Sequence, residues 1–168
     1  MARAIDVAMF LVYLRDVDAI KRGDYNTLSN LKLQKLLYYC HGGHYRWDNE
    51  RLISDNVFEA WEYGPVIRTI YYKLRHTCQN DLPNLKQLKC RDKYRNWEHY
   101  EKSLSVDERE TIKVVWGQLK NQPTFDLVSQ TQSEPPWKKA RDSGILFLSD
   151  QDIRNHFRED ITVEPIKV

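Results

Sequence analysis

From Ala2 to Lys21 the chain runs without a glycine or proline and is apolar on two sides at once. Ile5, Ala8, Met9 and Val12 fall on one face of a helix of period 3.6, and Val7, Leu11 and Leu14 fall on another. A helix apolar on both sides is covered by neighbours on both sides, so this one is a structural element around which other helices pack. Gly23 stands where such a helix ends. After a polar loop, Asp24 to Thr27, a second helix is predicted from about Asn30 to Trp47, capped by Ser29 or Asn30. Leu33, Leu37, Cys40, His44 and Trp47 lie along one stripe, and Gln34, Tyr38, His41 and Tyr45 along a second, amphipathic one. Gly42 and Gly43 each weaken this helix by about 1 kcal/mol relative to alanine. They either permit a close approach or split the helix.

Further along, Ile53, Val57 and Phe58 suit an extended segment before a Gly64-Pro65 turn. Gly64 can take backbone angles that other residues resist, and Pro65 suits the first position of a new helix carrying Val66, Ile70, Tyr71 and Leu74 to about Arg75. Leu82, Leu85 and Leu88 punctuate a polar stretch read as a loop plus a short helix. Ser105 and Glu108 form a capping-box pattern that opens a helix to about Asn121, where Pro123 stops it. Thr124 or Asp126 starts another helix through Gln130, and Ser149 and Asp152 open a last one to about Arg158. The expected fold is mostly α: a single compact multi-helix domain over 1–168, with its core at about 5–158, a C-terminal tail at 159–168, and at most a short extended segment or hairpin around residues 50–62.

Composition narrows the function. The 26 basic and 24 acidic residues leave a net charge of +2, which gives no general attraction to nucleic acid or anionic membranes. No apolar run reaches the roughly 20 residues that span a bilayer, and the stretch Ala4 to Leu14, interrupted by Asp6, lacks the basic start and cleavage site of a signal peptide. Three cysteines, Cys40, Cys78 and Cys90, make no disulfide framework. A cytoplasmic, reduced protein is expected. Ten tyrosines and five tryptophans supply core and contact surface alike.

Three groups of residues invite chemistry. Cys40, His41 and His44 would need His76 and Cys78 to complete a metal site, at a spacing that fits no standard zinc pattern, so packing is the expected role and no metal or cofactor is predicted. The stretch Lys86 to Lys102 sets six basic residues among Tyr94, Trp97 and Tyr100, a composition that can grip phosphates and stack on bases, but three acidic residues dilute it. Glu134, with its backbone stiffened by Pro135 and Pro136, is the best acid–base candidate for a hydrolase or transferase. No phosphate loop, nucleophile elbow or zinc-protease motif accompanies it, and the chain is read as a non-enzyme.

Three segments then occur in order: LKLQKLLYY from Leu31 to Tyr39, EAWEYGPV from Glu59 to Val66, and TQSEPPW from Thr131 to Trp137. Together, over roughly Ile5 to Arg141, they resemble the Panacea domain, a phage-associated family of bacterial and phage antitoxins. The resemblance implies a mostly helical antitoxin that neutralises a cognate toxin, the product of a neighbouring gene, by direct binding. In one branch it implies an adaptor that delivers the toxin to a cytosolic protease. Some relatives add a helix-turn-helix domain; none is expected here, since short elements account for both ends. The last motif of the family usually has His after its Thr and Gly in its Glu-x-Pro-Trp run; this chain has Gln132 and Pro135, which counts against proton transfer there. By residue type, Lys35, Tyr38, Tyr39, Tyr63, Glu134 and Trp137 are the expected exposed partner contacts, each joining a polar tip to a large or charged body. Leu36, Trp61, Gly64, Pro65, Val66 and Thr131 are the expected scaffold of the motifs.

Overall fold

The computed structural model describes residues 1–75, 81–85, 87–88 and 96–159. Among them are eight helices and one short hairpin, a mostly α architecture. The two longest helices, α1 (Ala4–Arg22) and α2 (Asn30–Asp48), have 19 residues each and run about 28 Å at 1.5 Å per residue. Every residue of α2 from Lys32 to Tyr45 is buried. It is enclosed by α1, by α5 (Val106–Leu119), α6 (Thr124–Ser133) and α8 (Asp150–Glu159), and by a hairpin of β1 (Glu59–Trp61) and β2 (Gly64–Val66). Around this core lie α3 (Arg68–Leu74), α4 (Trp97–Ser103) and α7 (Pro135–Asp142). Among the described residues no helix is long and apolar enough to cross a membrane.

Local chemistry sets the helix ends. The Ser29 hydroxyl accepts the Lys32 N–H at 3.0 Å. Ser105 and Glu108 cap α5 reciprocally, at 3.1 and 2.8 Å. Gly23 ends α1 in the left-handed conformation, at φ +65°, donating to the Asp18 carbonyl. The start of α1 has no cap of its own. Asp55 accepts the Ala4 N–H at 2.9 Å, and Ala2 pairs with the 52–54 segment on either side.

The glycines of α2 do not split it. Gly42 makes room for the ring of Phe157 on α8: a Cβ there would stand 2.2 Å from a ring carbon. Gly42→Ala should therefore cost about 1–3 kcal/mol through overpacking, more than the roughly 1 kcal/mol of helix propensity it gains. Urea unfolding checks this; a stabilised variant would show that Phe157 does not seat there.

Two sequence expectations are corrected. Pro65 does not open a helix, because it lies in β2, and α3 begins only at Arg68. Gly64, at φ +99°, turns the chain back after Glu62 and Tyr63, so Pro65 faces Ala60 across the hairpin. At that pair the polar groups point outward: Ala60 donates to Leu146 at 2.7 Å, and the Pro65 carbonyl accepts from Lys35. A residue without an N–H loses nothing there. The second correction is α7, which the sequence reading left unassigned although Pro135 and Pro136 occupy the first-turn positions that suit proline. Leu82, Leu85 and Leu88 are all buried, and Leu82 sits in an irregular segment held by the Arg15 guanidinium on the Leu82 and Pro83 carbonyls.

Candidate functional site

The three sequence motifs, far apart in the chain, converge on the hairpin. From α2, the Gln34 side chain accepts the Ile67 N–H at 2.9 Å, and Lys35 Nζ donates to the Pro65 carbonyl at 2.7 Å. Lys35 is wholly buried, and burial pushes its ammonium down to about 7. Gly64 is pressed against both neighbours: a Cβ would lie 2.5 Å from Thr131 Oγ1 and 3.0 Å from Lys35 Cε. From α6 and α7, Gln132 donates to the Glu62 carbonyl at 2.9 Å, Trp137 to the Trp61 carbonyl at 2.8 Å and Arg141 to the Ala60 carbonyl at 3.2 Å. Three successive hairpin carbonyls are thus held by three side chains, and the loop is pre-organised.

Beside this network lies a buried carboxylate. Tyr39 donates to Glu134 Oε2 at 3.0 Å, and Glu134 Oε1, 3.6 Å from His156 Nε2, has no hydrogen bond. The Tyr38 hydroxyl is also buried without a hydrogen-bond partner. Burial, and secondarily the charge of Glu134, holds both phenols well above the ordinary tyrosine range. The two tyrosines should respond unequally to loss of the hydroxyl. Tyr39→Phe breaks the 3.0 Å bond to Glu134 and should cost about 1–3 kcal/mol, whereas Tyr38→Phe removes a hydroxyl that meets the carboxylate without a well-formed bond and should cost less. Chemical unfolding of the two variants decides it, and equal losses would overturn this account of the cluster.

The structure corrects the expected exposure of four of the candidate contacts. Lys35 and Tyr38 are fully enclosed, and Tyr39 and Glu134 are each 7% exposed. The reason is that β2 and α6 cover one side of α2, while Phe58 and Phe157 pack edge-on to Tyr38 and Phe157 edge-on to Tyr39. Tyr63 is exposed as expected, and Trp137 is half-buried. The scaffold residues Leu36, Gly64, Pro65, Val66 and Thr131 are buried, and Trp61 is half-buried.

What remains accessible is an aromatic rim around the hairpin. Tyr63 meets Phe125 of α6 edge-on, both more than half exposed. On the other side Trp61 packs edge-on to Tyr71 and Tyr72, with the Arg68 guanidinium over Trp61 and Tyr72. Arg68 is itself aimed by Glu59, at 2.9 Å. The sequence reading missed Phe125, Tyr72 and Arg68. Phe125 did carry a signal: it is an aromatic residue on the polar side of a helix whose buried positions are Leu127, Val128 and Thr131.

The other candidates resolve into separate local roles. Cys40 is buried, and burial pushes its thiol up. His41 Nδ1 accepts the Ile53 N–H, which leaves Nε2 to donate to Asp150 at 2.8 Å. His44 meets Thr111 and Asp48. Among the described residues no group of three His, Cys, Asp or Glu side chains could hold a metal; His76 and Cys78 lie outside the described residues. Most of the basic stretch, 86 and 89–95, and the tail 160–168 also lie outside them. In its described part Lys102 pairs with Glu98, and Trp97 donates to Glu101 beneath Arg109 and Lys113. A cleft of about 620 Å³ lies away from the hairpin between Arg15, Tyr25 and Asn84.

Fold and site together define a small helical domain in which three separated motifs lock one hairpin under an aromatic rim. Residues 33–138, which contain the hairpin and most of the side chains that hold it, match the family described as antitoxin SocA-like, Panacea domain, and the chain belongs to this family. A stretch of 44 residues is 48% identical to the antitoxin SocA of Caulobacter vibrioides (strain NA1000 / CB15N), covering 26% of this chain and 23% of that protein. No solved structure matches.

Proposed function

We propose that this chain is an antitoxin that neutralises a partner toxin, the product of a neighbouring gene, by direct stoichiometric binding in the cytoplasm. The observation that carries this reading is the rim of Trp61, Tyr63, Tyr72, Phe125 and Arg68 around a hairpin fixed from below by the motifs of its family. Exposed Tyr, Trp and Arg are the residue types that anchor protein interfaces. Fixing the hairpin in advance reduces the ordering cost of association. A stable complex needs about 1,000 Å² or more of buried surface, so the partner covers the rim and its surroundings. Enclosure of Glu134 by Tyr39 and His156 supports a binding role over a hydrolytic one.

Co-expression with the adjacent gene tests the reading. Growth rescue together with a 1:1 complex on co-purification is expected, with the toxin's half-life unchanged. A neighbour that is harmless alone and forms no complex removes the proposal. A toxin half-life shortened by this chain would replace blocking with delivery to a protease.

A further inference from the structure

A short extended segment, 145–148, runs alongside β1 and is joined to it by a single antiparallel bridge. The Leu146 carbonyl accepts the Ala60 N–H at 2.7 Å, and Leu148 donates to the Phe58 carbonyl at 2.9 Å, so Phe147 lies opposite Glu59 in an antiparallel bridge. In such a pair the bonds flank the bridged residues, and the N–H and C=O of Phe147 point away from β1. Among the described residues neither group has a hydrogen-bond partner. Ile145, Leu146 and Phe147 are 57%, 45% and 50% exposed. Between Asp142 and Asp150 there is no charge and no proline. Sheet edges are ordinarily blunted by lysine, proline or a bulge; this one carries none of the first two.

We infer that the 145–148 edge takes up an extended, apolar strand of the partner toxin by main-chain pairing, an inference that rests on the antitoxin reading above. An outward N–H and C=O on one residue specify a strand as occupant, because a strand satisfies both at once while its alternate side chains cover Ile145 and Phe147. The edge is only four residues long, about 13 Å at 3.3 Å per residue. Two copies of this chain meeting there alone would bury far less than the roughly 1,000 Å² a stable pair needs. A toxin already seated on the rim has no such shortage, since β1 carries Trp61 of the rim and also holds the edge through Ala60.

The test is amide hydrogen exchange of the full chain, alone and with the purified protein encoded by the adjacent gene, together with binding of that protein by Phe147→Lys. The Phe147 N–H is expected to exchange freely alone and to be protected at least about tenfold in the complex, and Phe147→Lys is expected to weaken binding at least about tenfold with an unchanged thermal melt. A tight complex with the Phe147 amide unprotected overturns the edge inference and leaves the antitoxin reading standing. Protection that rises with the concentration of this chain alone assigns the edge to self-association and also overturns it. Absence of any complex sinks both.

Discussion

Replacing Gly64 with valine is expected to destabilise the protein by about 4 kcal/mol and to detach the hairpin from α2. Two costs add. The residue sits at φ +99°, a conformation worth about 1–3 kcal/mol of strain for a side chain branched at Cβ. Its Cβ would also lie 2.5 Å from Thr131 Oγ1, and Thr131 is buried and tied to the Val128 carbonyl, so it cannot swing aside. Overpacking adds about 1–3 kcal/mol. Against a typical total of about 5–15 kcal/mol the loss is large. Urea unfolding followed by tryptophan fluorescence reads it directly, because Trp61 and Trp137 flank the hairpin and are bonded to each other through the Trp61 carbonyl. A loss below about 1 kcal/mol would mean that the hairpin is not packed on Thr131 and Lys35.

The second large effect is a gain of stability with rising pH. Burial lowers the Lys35 ammonium from the ordinary 10.5 to about 7, whereas in the unfolded chain it titrates near its usual value. Between those limits the unfolded state binds the additional proton, so stability rises with pH, at a slope approaching about 1.4 kcal/mol per unit. Cys40 above about pH 9, and Tyr38 and Tyr39 above about pH 10, reverse the trend: their folded-state values are raised, so the unfolded chain releases their protons first. The gain is therefore expected between about pH 7 and 9. Lys35→Met keeps most of the apolar stem, loses the bond to Pro65 and should flatten this rise. Unfolding free energies at pH 7 and pH 9 for both proteins settle it. Parallel slopes would show that Lys35 is solvated.

Much of the fold was legible because its signals are local. The Ser105–Glu108 capping box, Ser29 before α2 and Gly23 after α1 each act within one turn. The hairpin was anticipated as a short extended segment or hairpin around residues 50–62, ending before β2, and Pro65 was misplaced, because the fitness of proline there depends on Leu146, some eighty residues away, and on Lys35 from another helix. The site was less legible for the same kind of reason. Lys35, Tyr38 and Tyr39 read as amphipathic contacts on a helix with one outer face, but α8 and β2 close that face. A lysine in a helix signals solvent unless a distant carbonyl is known to wait for it, as Pro65 does. The motifs therefore mark how the hairpin is held, and the exposed residues around it, Phe125, Tyr72 and Arg68 with Tyr63, lie outside or at the edge of them.

The most direct test of this account is calorimetric titration of the partner toxin with the wild-type chain and with a Tyr63→Ala, Phe125→Ala double variant. Both residues are more than half exposed and touch each other across the hairpin and α6, so the variant should fold and melt as the wild type does. Binding in a 1:1 ratio is expected, weakened at least about tenfold in the double variant, as the loss of two interface anchors of about 1 kcal/mol or more each requires. An unchanged affinity in the double variant would place the toxin elsewhere on the molecule and contradict the central claim.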